Sequence, residues 1–76
     1  MERKFSGVRL REHRLAIPMK AEQLALNIDR TVYTIHEYER DRALPGVNTV
    51  ARLADSLGIA IDDLFIDVEE PSDAAA

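Results

Sequence analysis

Between residues 29 and 42 the sequence DRTVYTIHEYERDR sets Tyr33, His36, Glu37 and Arg40 at spacings of three and four, with Arg30 and Arg42 towards its two ends. On a helix that spacing gathers a phenol, an imidazole, a carboxylate and a guanidinium on one face. Such a set can exchange hydrogen bonds and neutralise an anion. It is poorly equipped for catalysis: the only other histidine is His13, and there is no cysteine, no metal-ligand spacing and no glycine-rich phosphate loop. The expectation is a binding surface, not an enzyme, with no cofactor, metal or small-molecule ligand.

The chain of 76 residues allows one small domain, and its 46% hydrophobic content is enough for a packed core without disulfides. No apolar run approaches the roughly 20 residues needed to span a bilayer. The start, MERKFSGVRL, lacks the apolar stretch of a signal peptide, so a cytoplasmic location is expected. A net charge of −4 speaks against a polyanion as partner when it is taken as a single number. Its distribution says something else. Residues 1–42 hold nine of the ten Lys and Arg and seven of the fourteen acids, net +2, whereas residues 43–76 hold Arg52 against seven acids, net −6. A basic front and an acidic back suit a protein that turns one face to an anion, although solvated faces carry such runs too.

The apolar spacing that must position these groups is helical nearly throughout, so the fold class expected is all-α with five helices. A first helix runs from about Gly7 to Ala16, with Leu10, His13, Arg14 and Ile17 on one face, and Pro18 stops it. A short second helix covers Ala21 to Asn27 and buries Leu24, Ala25 and Ile28, before a tight turn through Asp29 and Arg30. Thr31 is suited to cap a third helix, accepting from the amide of Thr34, with Ile35 and Tyr38 facing inward and Arg40 near the end. Gly46 opens a fourth helix with Val47, Val50, Leu53, Ala54 and Leu57 as its buried stripe, and Gly58 supplies a left-handed residue after it. Ile61, Leu64, Phe65 and Val68 predict a fifth helix, and the acidic EEPSDAAA that follows is expected to be disordered, which bounds the domain at 1–68.

Two short helices joined by a tight turn, the second opening on a capping threonine, make a helix-turn-helix pattern. Taken together, GVRLREHR, MKAEQLALNIDRTVYTIHEYERDRALPGVNTVARLADSLGI and IDDLF resemble the lambda-repressor-like DNA-binding domain of the Xre/Cro family, without a gap from residue 7 to residue 65. The anchors are Leu24-Ala25, the Asp-Arg-Thr before the third helix, Ile35, Glu39-Arg40, Pro45, LADSLGI and DDLF.

The resemblance implies a five-helix fold whose third helix enters the major groove of double-stranded DNA. It implies an ion pair between Arg14 and Glu39, which would take Glu39 out of the surface charge. It places Val32, Tyr33, His36 and Glu37 on base-contacting positions: Val32 for a thymine methyl, Tyr33 and His36 for a base edge or phosphate, Glu37 for a donor such as cytosine N4. Lys20, Arg30, Thr31, Thr34, Arg40, Arg42 and Asn48 fall at the rims, where phosphates would pass. Four positions depart from the family pattern. Lys20 and Ala21 stand where a serine or threonine cap and a glutamine are usual, Asp29 replaces a turn glycine, and His13 replaces leucine.

One domain's few phosphate contacts would bind weakly, so a homodimer on a palindromic operator is expected, with Ile59, Leu64, Ile66 and Val68 as the seam and Val8 and Leu15 left over on the first helix. The function so implied is a small transcriptional regulator of the Cro, phage-repressor or controller-protein type. The alternative is a protein-interaction module on the same fold, such as an antitoxin-like partner.

Overall fold

Ser6 starts the first helix by accepting a hydrogen bond from the amide of Arg9 (3.2 Å), and Gly7–Ala16 follow as α1 in a computed structural model that describes residues 2–68. Three further helices are α2 (Ala21–Asn27), α3 (Val32–Glu39) and α4 (Val47–Leu57). The caps act as their chemistry requires: Thr31 accepts from the amide of Thr34 at 3.2 Å, while Lys20 at the head of α2 offers no side-chain cap. Leu10, Leu24, Ile28, Ile35, Leu53 and Leu64 are fully buried and form the centre of the core. The expected tail lies outside the described residues.

Three helices end in the same way, with a left-handed residue whose amide and the next one fold back onto the last turn. After α4 this residue is Gly58 (φ 71°). After α2 it is Asp29 (φ 61°), with Asp29 N donating to Leu26 O (3.2 Å) and Arg30 N to Ala25 O (2.9 Å). After α3 it is Asp41 (φ 59°), with Asp41 N donating to Tyr38 O (3.1 Å) and Arg42 N to Glu37 O (2.9 Å). An L-residue pays for this conformation with a close approach of Cβ to the following carbonyl. The two aspartates differ in what they gain. Asp41 Oδ1 accepts from the amide of Gly7 at 2.9 Å and so ties the start of α1 to the end of α3. Asp29→Gly is therefore expected to stabilise the fold by about 0.5–1 kcal/mol, whereas Asp41→Gly should destabilise it by about 1 kcal/mol, because Gly7 N loses its partner. Opposite shifts of the urea midpoint check the pair.

The fifth helix and the all-α class need correction. Ile61–Leu64 form one 3-10 turn, and the chain then extends as β2 (Phe65–Val68), antiparallel to β1 (Glu2–Phe5). The pairing sets Phe5 against Phe65 and Arg3 against Asp67. The two rings meet edge-on at 6.4 Å and 85°, and Phe5 belongs to the core. Asp63 holds the turn by accepting from the amide of Ala60 at 3.1 Å. A four-residue strand carries little pattern of its own, and this one is stabilised by a partner from the other end of the described chain.

Two inward assignments and one seam assignment also change. Val47 is 85% exposed, because the first turn of α4 projects past the core that holds Val50, Leu53, Ala54 and Leu57. Ile17 is 48% exposed: α1 has already ended at Ala16, and the half-buried His13 and buried Arg14 line that end of the helix instead. Leu64 has no exposed surface at all and cannot be a dimer seam.

Candidate nucleic-acid interface

The surface of α3 divides cleanly along its length. Ile35, Tyr38 and Glu39 are buried, while Tyr33 is 72% exposed and Arg40 is exposed beyond it on the same face, with His36 and Glu37 half-buried between them. Val32 and Thr34 are half-buried, and Val32 also rests against the edge of the core. Thr31 is exposed at the head of the helix, its hydroxyl 3.1 Å from that of Thr34. Lys20, Arg30, Arg42 and Asn48 are exposed.

What holds this ridge outward is a set of ties behind it. Glu39 faces Arg14 of α1 through two hydrogen bonds, Nε to Oε2 at 2.6 Å and Nη2 to Oε1 at 3.1 Å, and Arg14 Nη1 reaches Met19 O at 2.9 Å. Both side chains are nearly out of solvent, so this is a buried bidentate pair that fixes the angle between α1 and α3. The hydrogen bond to Glu39, opposed by burial and helped by the charges of Glu39 and Glu22, raises the guanidinium's pKa above its usual value and keeps it charged. Gly7 packs so closely on the end of α3 that a Cβ there would sit 2.2 Å from Tyr38 O and 2.6 Å from Glu39 O. On the other side, Asn27 Nδ2 donates to Ser56 Oγ (2.7 Å) and Arg52 Nη1 to Ile28 O (3.4 Å), holding α2 to α4.

The restriction-modification controller protein C.AhdI from Aeromonas hydrophila has this architecture, with a TM-score of 0.73 and 29% identity over 76% of this chain and 84% of its own. So does the P22 c2 repressor, solved on a synthetic operator (TM-score 0.74, 21% identity, 80% of this chain and 92% of that one). The chain carries an Xre/Cro-like helix-turn-helix domain. The clp gene regulator ClgR from C. glutamicum shares the fold of this Xre/Cro-like domain at a TM-score of 0.72 and 24% identity, over 76% of this chain and 75% of its own. No protein-family model matches the chain, and no curated protein matches it in sequence.

Within the Xre/Cro-like domain α2 and α3 are the helix-turn-helix, and most of the residues expected to meet DNA lie on α3 or next to its ends, with Lys20 at the head of α2 and Asn48 in the first turn of α4. Two features escaped the sequence reading. Asp41 as a left-handed tie to Gly7 could have been suspected from the repeated Asp-Arg dipeptide, which ends α2 as Asp29-Arg30 and α3 as Asp41-Arg42. The second is an ion pair between Glu37 Oε2 and Arg42 Nη1 at 3.9 Å, which no spacing rule for helices would give, because Arg42 lies beyond the helix end. Among the described residues no group of His, Cys, Asp and Glu could hold a metal ion, and no helix is long and apolar enough to cross a membrane.

Proposed function

We propose that this domain is a sequence-specific regulator of transcription that lays α3 in the major groove of double-stranded DNA. The observation that carries the reading is the ridge of Tyr33, His36, Glu37 and Arg40, turned outward by the buried Ile35, Tyr38 and Glu39. Val32, Tyr33, His36 and Glu37 are the base readers and Lys20, Arg30, Thr31, Thr34, Arg40, Arg42 and Asn48 the phosphate contacts. None of the four readers offers the bidentate fork of arginine to guanine or glutamine to adenine, so each base is recognised through single contacts. Tyr33→Ala should lower preference for the selected site by about 1 kcal/mol, the lower end of what a bidentate contact supplies. Its urea midpoint should stay in place, because the ring is 72% exposed. Selection of bound sequences from random duplex DNA tests the reading: a recurrent site supports it, and failure to enrich any site at low salt removes it.

We further propose a homodimer on a palindromic operator, its two half-sites about 34 Å apart, one turn of the duplex. With Leu64 in the core, the remaining seam residues are Ile59, Ile66 and Val68. Sedimentation equilibrium with and without the selected duplex tests the stoichiometry.

One feature favours a protein contact as a second reading. An apolar cleft of about 380 Å³ runs between the hairpin and the start of α4, lined by Phe5, Leu44, Pro45, Val47, Ile61 and Phe65 among others, with Leu44 75% exposed. A salt titration separates the two readings, since DNA affinity falls steeply as salt rises and apolar association does not.

A further inference from the structure

Arg42 is held to α3 by its backbone whatever its side chain does. The left-handed Asp41 turns the chain back so that Arg42 N and Ala43 N both donate to Glu37 O, at 2.9 and 3.3 Å. Among the described residues the guanidinium then has one carboxylate within ion-pair distance, that of Glu37 at 3.9 Å. That distance is an ion pair without a good hydrogen bond, a contact that a better partner displaces easily. The two side chains are unequally placed: Glu37 is 17% exposed and Arg42 67%, so the arginine is free to swing while the carboxylate stays against α3. Among the described residues Lys20, Arg30 and Arg40 have no carboxylate within ion-pair distance, and Arg42 is the one cation of this rim that does.

Resting on the DNA-binding reading above, we propose that Glu37 is a specificity-determining residue that acts by competing with the DNA backbone for Arg42. In the free domain the carboxylate neutralises a cation that would otherwise attract any phosphate. On a duplex that offers Glu37 a hydrogen-bond donor in the groove, the carboxylate exchanges Arg42 for that donor and the arginine moves to a phosphate. On other duplexes the exchange leaves the carboxylate unpaired beside a polyanion, so Arg42 stays with it and one phosphate contact is not made. Glu37 lowers affinity for the wrong DNA more than for the right one.

The test is a salt titration of binding to short random-sequence duplex DNA by the full chain and by Glu37→Gln, Arg42→Gln and the double variant. Glu37→Gln keeps the shape of the side chain and removes its charge. It should bind random duplex severalfold more tightly, with the slope of log affinity against log salt steeper by about 0.9, the signature of one added phosphate contact. In the Arg42→Gln background the same change should leave the slope where it was. An unchanged slope for Glu37→Gln overturns the proposal. So does a steepening that survives loss of Arg42, since simple repulsion by the carboxylate would then account for it. If the unaltered chain and all three variants ignore duplex DNA at every salt concentration, the DNA-binding reading falls first and takes this inference with it.

Discussion

Glu39→Ala is expected to destabilise the domain by about 3–5 kcal/mol, the usual cost of leaving one member of a buried ion pair without its partner. For a domain this small, that is much or all of the stability. Arg14 would remain buried without its bidentate partner, keeping the carbonyl of Met19 and the weaker attraction of Glu22. Urea denaturation followed by circular dichroism measures the loss. The double replacement Arg14→Met with Glu39→Met removes both charges and should lie much closer to the parent chain than Glu39→Ala does. If the single and double variants are equally destabilised, the pair is not the isolated buried unit described here.

Gly7→Ala is expected to cost about 3 kcal/mol, the upper part of the range for forcing a methyl into a filled site. The obstacles are the carbonyl oxygens of Tyr38 and Glu39, both backbone, so no side chain can rotate aside. Either α1 or α3 must move, and the amide of Gly7 then loses Asp41. The variant should therefore lose DNA affinity even at temperatures where circular dichroism shows it folded. Asp41→Gly, with the same hydrogen bond gone but no clash, should keep more of both.

The four helices were legible because their boundaries are written in local chemistry. Thr31 and Gly58 act at the ends of α3 and α4 as capping rules require, and the apolar spacing of Leu24, Ala25, Ile35, Val50, Leu53 and Leu57 points inward as periodicity predicts. Arg14 and Glu39 were paired by register, and the pair is present. The hairpin was not legible. Ile61, Leu64, Phe65 and Val68 satisfy helical spacing, and only the distant Phe5 and Arg3 make β2 a strand. Val47 shows the same limit from the other side, since periodicity says which face a residue occupies and not whether anything lies opposite it. Within the site, the outward ridge followed from helix geometry alone. The Glu37–Arg42 pair did not, because it depends on a left-handed aspartate bending the chain back on itself.

Residue-resolved NMR during titration with the selected duplex shows whether the outward side of α3 meets DNA. The resonances of Thr31, Tyr33, His36, Glu37, Arg40 and Arg42 should shift most, and those of the buried Ile35 least among the residues of α3. A complex that forms while Tyr33, His36 and Arg40 stay unperturbed would rule out α3 as the reading helix, whatever the affinity.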